Sequence, residues 1–496
     1  MRVRRGASAV VVAALVAALA ACGSNLDPDE VGLADGGTVA QNGTVTDPDT
    51  GVVTDPGTGE VVDPGTGEIV DPGTGTTDPG TGTTDPGTGT TDPGTGTTDP
   101  GEPSTEAPVD ASAAGSCDGF KNGPGITDSA ITIGNASDIS GPVPGLFETA
   151  QVATKAFVTY FNATVPDGIC GRKLELKNYD SRTDAAADQQ AYASACTEVF
   201  AMVGSQSAFD SGGAKTAQNC GLPDMRASSV TTERSNGCST CFGVQAVDID
   251  SFENAVPDFV KKYGTSAAQN AAFFYINAGA SSQNALAQVR AMERRGLKFT
   301  VVQPVDIAEF NYAPFVQQLK DKKVETVFWT GAYQQSARLR QAMQQNGYEP
   351  KLYLRDPTDY NPAYVSQGGS AVDKTVIFMN FTPFEEARSN RELATYLSYL
   401  DQVKPGATPE FFGVFGWSAT KLFVELATKL GGALSRETLL AEVRKVDDWT
   451  AAGMHAPQPV GPRGTGECWR FIQLDGTVWK PVGGTKYTCN GLTSSK

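Results

Sequence analysis

Every aromatic residue of the 496-residue chain lies after position 116, and this division limits where a hydrophobic core can form. The sequence holds 23 Phe, 14 Tyr and 5 Trp, and none of them occurs in the first 116 residues. Because aromatic side chains dominate the area that a core buries, we expect the folded part to consist of about the last 380 residues. That length is sufficient for two domains of ordinary size.

The formal net charge of −17 is carried mainly by the segment before residue 117. Residues 23–116 contain 18 acidic residues and no Lys or Arg, whereas the later residues contain 36 bases and 38 acids. The predicted folded part is therefore close to neutral and lacks the basic excess that is typical of nucleic-acid-binding domains. No apolar run of about 18 residues follows the N-terminal region, so we expect no transmembrane helix there.

Residues 1–22 have the features of a secretory signal peptide. Three Arg precede the apolar stretch Ala9–Ala21, which is too short for a typical transmembrane helix. The sequence Leu-Ala-Ala-Cys that ends at Cys22 resembles the lipobox of bacterial lipoproteins, and this resemblance implies that Cys22 carries the lipid. We therefore expect a lipid anchor on the extracytoplasmic face of a bacterial cell membrane; an ordinary signal peptide is the alternative.

Residues 23–116 are predicted to be a disordered, acidic tether. Asp-Pro recurs from Asp47 to Asp99 at spacings of eight and then seven residues, in units such as Asp-Pro-Gly-Thr-Gly-Thr-Thr. From Asp71 onward these units contain no large apolar side chain, so stacking them would bury almost nothing. A calcium-binding repeat is the alternative, but each unit offers a single carboxylate.

Eight cysteines follow Cys22, and an even number in an exported chain predicts four disulfides. Cys238 and Cys241 are predicted to form a short local disulfide, although the same spacing occurs in redox and zinc sites. The chain has a single histidine, so we predict no metal site. Cys468 and Cys489 flank a predicted terminal β-hairpin around Asp475-Gly476, and we expect them to pair.

Strand and helix patterns alternate through the folded part, which predicts parallel sheets covered by helices on both faces. Two such runs indicate two α/β lobes, and three helices around 385–403, 411–430 and 436–446 precede the hairpin. The predicted strands are Ala130–Asn135, Lys173–Tyr179, Ala201–Gly204, Leu222–Ala227, Ala271–Ile276, Phe299–Gln303, Glu325–Thr330, Lys351–Leu354 and Val376–Asn380.

Three short motifs in this order resemble those of type I periplasmic binding proteins, specifically the branched-chain amino-acid-binding-like receptors of ABC importers. They are Gly-Arg-Lys-Leu-Glu-Leu at 171–176, Ala-Met-Val-Gly at 201–204 and Val-Phe-Trp-Thr-Gly-Ala-Tyr at 327–333. The resemblance covers about residues 126–480. It implies two doubly wound, Rossmann-like lobes that are joined by a three-strand hinge, with the ligand cleft between them.

The order of the elements then predicts two discontinuous lobes. The first combines 126–246 with 378–460, and the second combines 247–377 with 461–496. The resemblance further implies a monomer that binds a small molecule (an amino acid, an amide or a small organic acid), works with an ABC permease and needs no cofactor.

The resemblance also suggests the ligand-binding residues, which fall in loops after predicted strands. Serines at two first-lobe strand ends match positions that meet a ligand carboxylate in the family, and an acid at a second-lobe strand end matches the partner of an ammonium. Each has a structural alternative, since Ser and Asp also cap turns and helices, and Arg355 could instead present a cation to an anionic ligand. The candidates are Ser205, Ser207, Ser228, Ser229, Tyr333 and Asp356.

No constellation of catalytic residues is evident in the sequence. His455 has no nucleophile near it in the chain, and no Gly-rich loop ends in the Gly-Lys-Ser or Gly-Lys-Thr of nucleotide-binding loops. We therefore predict a non-enzymatic receptor that captures an amino-acid-like ligand by closing its lobes and delivers it to an ABC importer. A ligand sensor or surface-interaction protein of the same fold, not coupled to transport, is the alternative.

Overall fold

The computed structural model describes residues 113–246 and 250–496, together with three two-residue strands nearer the N-terminus. These strands form a small antiparallel sheet in a separate compact unit. They are Thr38–Val39, Val45–Thr46 and Val53–Thr54. The predicted signal peptide with Cys22, and the predicted tether apart from these strands and residues 113–116, lie outside the described residues.

The first lobe is built on a five-stranded, fully parallel sheet with the order β2-β1-β3-β4-β5. Its strands are β1 (Ala130–Ser137), β2 (Lys173–Asp180), β3 (Ala201–Val203), β4 (Asp224–Ser229) and β5 (Cys241–Ala246). The helices that follow the first four strands are α1 (Glu148–Thr164), α2 (Ala185–Glu198), α3 (Ser211–Asn219) and α4 (Thr232–Ser235).

The two faces of this sheet have separate cores. Phe157 and Phe161 of α1 join the core that includes Ile133, while Tyr192 of α2 joins the core that includes Met202. Because strand side chains alternate between the two faces, a buried parallel strand needs apolar residues on both. The sheet is therefore covered by helices on both sides, as the sequence predicts.

The second lobe contains a larger sheet in which five parallel strands continue into an antiparallel edge. Its strand order is β8-β7-β9-β10-β11-β12-β13, and β14 also pairs with β12. These strands are β7 (Ala271–Ile276), β8 (Phe299–Val305), β9 (Thr326–Thr330), β10 (Leu352–Arg355), β11 (Val376–Met379), β12 (Cys468–Asp475), β13 (Val478–Val482) and β14 (Thr488–Cys489). A separate ribbon pairs β6 (Ser251–Glu253) with β15 (Leu492–Ser494).

Helices cover both faces of the second sheet as well. Along β7, Phe273 belongs to one core and Phe274 to the other, which is the alternation expected of a strand that is buried on both sides. The helices of this lobe are α5 (Ala255–Lys261), α6 (Thr265–Gln269), α7 (Ser281–Arg294), α8 (Ala313–Asp321), α9 (Tyr333–Gln345) and α10 (Pro362–Gly368), with 3₁₀ turns at Pro357–Asp359 and Gly369–Val372.

The helices that follow β11 pack on the first lobe, although they lie far from it in sequence. Trp417 of the long, buried helix α12 contacts Phe157 of α1 with ring centroids 4.8 Å apart. These helices are α11 (Arg391–Val403), α12 (Phe411–Leu430) and α13 (Arg436–Val443), with 3₁₀ turns at Phe384–Ser389 and Gly431–Ala433.

The chain thus passes between the lobes three times, after β5, after β11 and before β12. The second and third crossings pair with each other: the Ala456 N–H donates to the Asn380 carbonyl (2.7 Å) and the Thr382 N–H donates to the Met454 carbonyl (2.9 Å). The second and third crossings are thus tied to each other by backbone hydrogen bonds within the hinge.

Two strands differ from the sequence-based expectation for identifiable reasons. The fourth strand begins at Asp224 rather than Leu222 because Pro223 has no N–H to contribute to the ladder. Strand β5 was not predicted because Gly243 interrupts its apolar pattern. A Cβ atom at Gly243 would lie 2.6 Å from the Ser229 backbone nitrogen, so the close approach of β4 requires glycine there.

Four disulfides link the described cysteines: Cys117–Cys170, Cys196–Cys220, Cys238–Cys241 and Cys468–Cys489. The predicted terminal hairpin is confirmed as β12 and β13, and Cys468 lies directly opposite Cys489 in the pairing of β12 with β14. None of the helices in the described part of the chain combines the length and the apolar character needed to cross a membrane.

Candidate ligand-binding site

The carboxyl ends of the two parallel sheets face each other, and their loops touch across the cleft. The Ala280 N–H donates to the Ala208 carbonyl (3.0 Å), and Gln283 Nε2 donates to Thr232 Oγ1 (2.7 Å). Asn284 Nδ2 donates to the Val230 carbonyl (3.2 Å). In open α/β sheets, ligands bind beyond the carboxyl ends of the strands, so these contacts close the lobes over the expected ligand position.

An apolar cavity of about 160 Å³ lies between the lobes. Its wall combines side chains that follow strands of both sheets with Phe412 at the start of α12. The large apolar residues of this wall are Val143, Leu146, Phe147, Phe209, Ile276, Ile307 and Phe412.

A second cavity, which we call the hinge cavity, has a volume of about 180 Å³ and is lined by all three crossings. Its polar wall differs from that of the apolar cavity. The polar residues that the three crossings and α7 contribute include Gln245, Glu253, Asn284, Gln288, Asn380 and Gln458. Pockets for drug-sized ligands usually measure about 300–1,000 Å³, so each of these cavities suits only a small group.

The two cavities adjoin, because both are lined by Thr330, Asp356, Thr358 and Phe412. The Asp356 carboxylate accepts a hydrogen bond from the Thr358 N–H (2.9 Å) and lies 3.4 Å from Arg355 Nη1. Its side chain remains 23% exposed. Asp356 therefore caps a turn, as the structural alternative requires, and also borders both cavities.

Glu253 is the second acid in the hinge cavity, and it is 1% exposed. Its Oε1 atom has no hydrogen-bond partner in the described part of the chain. Burial raises the pKa of Glu253 well above its ordinary value of 4.5. Among the described residues that line the two cavities, Glu253 and Asp356 are the charged ones, and no Lys, Arg or His joins them.

The strand-end donors of the first lobe are bound by carboxylates of the chain itself. Buried Asp138 accepts from Ser181 Oγ (2.6 Å), Ser207 Oγ (3.0 Å) and the N–H groups of Thr183 (2.9 Å) and Ala208 (2.8 Å). These hydroxyl and amide groups are of the kind that would otherwise bind an anionic ligand.

Asp210 occupies the neighbouring loop in the same way. It accepts from the Val230 N–H (2.9 Å) and from Thr231 Oγ1 (2.5 Å), and Arg226 Nε lies 3.8 Å away. Burial raises the pKa of Asp210, while the charges of Arg226 and Arg234 act in the opposite direction. The loops after β3 and β4 are thus stabilised internally.

The structure separates the four predicted serines. Ser205 is fully buried and its hydroxyl accepts from the Ala136 N–H (3.1 Å), so it ties β3 to β1. Ser207 donates to Asp138, and neither serine is among the residues that line the two cavities. Ser228 does line the hinge cavity, where its hydroxyl donates to Gln206 Oε1 (2.7 Å). Ser229 is buried beside it with an unpartnered hydroxyl.

Neither Tyr333 nor Arg355 lines the two cavities. Tyr333 lines a third pocket with Tyr360 and Glu410, and this pocket adjoins the apolar cavity, since both are lined by Leu146, Ala332 and Phe412. Partial burial raises the pKa of Tyr333. Arg355 is fully buried, where its Nε and Nη2 atoms contact the Asp359 carboxylate at 2.6 and 2.7 Å. The guanidinium is therefore committed to an internal ion pair rather than presented to a ligand.

Sequence reasoning did not identify Glu253, Asn380 or Gln458. All three lie in the crossings, which lack the strand–loop–helix pattern that guided the other assignments. The sequence offers one indication, which is that Glu253 lies close to the predicted start of the second lobe. In the described part of the chain, no three His, Cys, Asp or Glu side chains converge as metal ligands would.

Comparison with known proteins agrees with this architecture. The family model described as periplasmic binding protein matches residues 130–477. No curated protein matches the sequence.

Many solved structures share the fold. A fatty acid ABC transporter substrate-binding protein from Thermomonospora curvata is 18% identical, with a TM-score of 0.64, and the match covers 75% of this chain and 96% of that one. A branched-chain amino acid transporter substrate-binding protein from Streptococcus pneumoniae, in complex with isoleucine, is 14% identical with a TM-score of 0.58, covering 73% and 99%. A solute-binding protein from R. palustris, in complex with 4-hydroxybenzoate, is 15% identical with a TM-score of 0.58, covering 74% and 97%.

At these identities the likeness to the solved structures extends to the fold, while the family match spans most of the chain. The chain belongs to the periplasmic binding protein family, of type I.

Proposed function

We propose that this protein is a lipid-anchored, extracytoplasmic receptor that captures a small solute between its lobes and delivers it to an ABC permease. The observation that carries the proposal is the pair of adjoining cavities enclosed between the strand ends of both lobes. A ligand enclosed in this way contacts both lobes only in the closed state, so its binding energy favours closure. The volumes suit a ligand of amino-acid size, such as an amino acid, an amide or a small organic acid.

The lobe boundaries are part of the proposal: 126–246 with 378–460, and 247–377 with 461–496. The packing of α12 against α1 and the pairing of β12 with β11 support this division. It gives the hinge three crossings, which is suited to a rigid-body closure rather than to local rearrangement.

Ligand capture is tested by a thermal-shift screen of the purified chain against amino acids, amides and small organic acids. A ligand at 100 times its Kd adds about 2.7 kcal/mol to the free energy of unfolding, and this gain shifts the melting temperature measurably. The absence of any stabilising solute would contradict the proposal. Uptake of the identified solute should also be lost when the gene is deleted; binding without any effect on uptake would favour the sensor alternative.

The anchor is tested separately with Cys22→Ser. A protein that carries acyl chains at Cys22 partitions into the membrane fraction, and stable anchoring needs two acyl chains or signals. We expect the variant to appear in the soluble fraction. Retention of Cys22→Ser in the membrane fraction would contradict the lipid anchor and leave the receptor function intact.

A further inference from the structure

The hinge cavity contains several hydrogen-bond acceptors without donors. Glu253, Asn380 and Gln458 are each 1% exposed and line the cavity from the three crossings. Among the described residues, Glu253 Oε1, Asn380 Oδ1 and Gln458 Oε1 have no hydrogen-bond partner, and Asn284 Oδ1 on α7 has none either. A buried acceptor that lacks a donor lowers the stability of the fold by about 1–3 kcal/mol. Four such acceptors in one cavity therefore indicate a ligand that donates hydrogen bonds to them.

The orientation of two of the amides is fixed by neighbouring carbonyl groups. Gln458 Nε2 donates to the Ala456 carbonyl (3.1 Å), and Asn284 Nδ2 donates to the Val230 carbonyl (3.2 Å). Because an amide nitrogen cannot accept and a carbonyl cannot donate, these bonds leave the amide oxygens for another partner. Both residues therefore offer acceptors to the cavity rather than donors.

The charge of the cavity walls also favours a ligand that donates hydrogen bonds, and in particular a cationic one. Glu253 and Asp356 both line the hinge cavity, and no basic side chain joins them among the described lining residues. Burial disfavours the charged form of Glu253, as its raised pKa reflects, and a cationic group beside it would restore that charged form. An ammonium supplies both the positive charge and three N–H donors.

The first lobe offers little to a ligand carboxylate. The hydroxyl of Ser207 and the N–H groups of Thr183 and Ala208 donate to Asp138, while the Val230 N–H and the Thr231 hydroxyl donate to Asp210. An incoming carboxylate would have to compete with these two fixed carboxylates, and it would meet no cationic side chain among the described residues that line the cavities.

We propose that the hinge cavity binds the ammonium group of a small primary amine, whose apolar body lies in the adjoining apolar cavity, and that the site selects against a free carboxylate. This inference rests on the proposed function and narrows its ligand to amines that lack a carboxylate. Asp356 and Thr330, which border both cavities, lie where the head and the body of such a ligand meet.

Four compounds that share one branched alkyl body test the inference by calorimetric titration of the full chain: isoamylamine, leucinamide, leucine and isocaproate. We expect isoamylamine and leucinamide to bind, leucine to bind more weakly, and isocaproate, which has the carboxylate but no amine, not to bind. Tighter binding of isocaproate than of isoamylamine would overturn the inference and leave the receptor function standing. No binding of either amine at millimolar concentration would also overturn it. The receptor function fails separately, when the broad thermal-shift screen finds no ligand.

Two substitutions act in opposite directions at the same cavity. Glu253→Gln should weaken isoamylamine binding about 30-fold or more, because a buried charge pair is lost. Gln288→Glu adds a carboxylate to the cavity wall and should strengthen it, so the test does not depend on one variant that could fail to fold. Glu293→Gln, on the exposed surface of α7, is the matched control and should bind like the wild type. Unchanged affinity in both cavity variants would overturn the proposal.

Discussion

Asp138 and Glu253 are both buried carboxyl groups, but they differ in the number of hydrogen bonds that they accept. Asp138 receives four hydrogen bonds from loop donors, whereas Glu253 Oε1 receives none from the described residues. A carboxylate that accepts several N–H and O–H bonds stabilises the loops that donate them. Asp138 therefore stabilises the fold, whereas Glu253 retains an acceptor that a ligand can use.

His455 has a third kind of buried environment. Its Nδ1 atom lies 2.8 Å from the Ala456 carbonyl, and its Nε2 atom lies 2.7 Å from Ser418 Oγ, which also accepts from Trp449 Nε1 (2.8 Å). The carbonyl requires a proton on Nδ1, and burial lowers the pKa of the ring to about 4, so at neutral pH the ring is neutral and Nε2 accepts from Ser418. Its role is structural.

The pH dependence of stability should reflect this neutral ring. Burial lowers the pKa of His455 from 6.5 to about 4, so below pH 6.5 the unfolded chain binds a proton that the folded chain does not. The contribution of His455 to stability should therefore fall by about 3 kcal/mol as the pH drops from 6.5 to 4. Buried carboxyl groups whose pKa is raised, such as Glu253 and Asp210, act in the opposite direction. Urea unfolding at several pH values measures this loss. His455→Gln should remove that part of the slope; an identical slope in the variant would contradict the assignment.

At the scale of elements, an ionic network joins α2, β4 and α4. Arg234 lies 2.9 Å from Asp188 of α2 and 2.8 Å from Asp224 of β4, and all three side chains are fully buried. The Tyr192 hydroxyl also donates to Asp224 (2.9 Å). The network holds the helices on the outer face of the first sheet against its strands.

Breaking this network should be costly because it leaves buried carboxylates without their cation. We expect Arg234→Leu to lower the free energy of unfolding by about 3–5 kcal/mol. Lys177→Met removes an exposed ion pair with Glu198 in the same lobe and should change it by less than about 1 kcal/mol. Chemical denaturation of both variants makes the comparison, and equal effects would show that burial does not decide the cost.

The disulfides should differ in importance according to the loops that they close. Cys117–Cys170 spans 53 residues and Cys238–Cys241 spans 3. In the chain-entropy model, the first stabilises by about 4 kcal/mol and the second by about 2 kcal/mol. Paired Cys→Ala variants, compared by denaturant midpoint under oxidising conditions, should therefore rank in this order. A larger loss from the short loop would show that chain entropy is not the main term.

Most elements could be predicted because their signals are local. The continuous apolar run Ala271–Ile276 predicts a strand, and the structure has a buried strand with the same bounds. The direction of a strand-end side chain is different, since it depends on neighbouring strands: Ser205 bonds to β1, whereas Ser228 reaches the hinge cavity. Glu253 and Gln458 line the same cavity because the crossings bring them together, although they lie more than 200 residues apart in sequence. No local pattern carries that information.

At the scale of the whole molecule, closure depends on contacts at the rim as well as on the ligand. Gln283 of the second lobe exchanges two hydrogen bonds with Thr232 of the first, at 2.7 and 3.3 Å. Neither residue is among those that line the two cavities. These bonds stabilise the closed state without touching the ligand.

Gln283→Ala should therefore reduce ligand affinity indirectly, by lowering the population of the closed state. A loss of about 1 kcal/mol per hydrogen bond corresponds to a roughly fivefold to thirtyfold weaker apparent affinity. Small-angle scattering of the ligand-free protein should show a larger radius of gyration. Gln341→Ala, which removes a bond to the Gln367 carbonyl within the second lobe, is the control. Equal affinities in the two variants would contradict a role of the rim in closure.

The disulfide Cys117–Cys170 also determines how the molecule would respond to tension. Next to Cys117, the Gly115 N–H donates to the Thr428 carbonyl (3.0 Å) and the Gly432 N–H donates to the Ser116 carbonyl (2.7 Å), which fasten the chain to the end of α12. A force along the segment before Cys117 would therefore act on the first lobe through the Cys117–Cys170 disulfide, and it would not be transmitted through the hinge. A force applied through the N-terminal segment would therefore leave the second lobe free to move about the hinge.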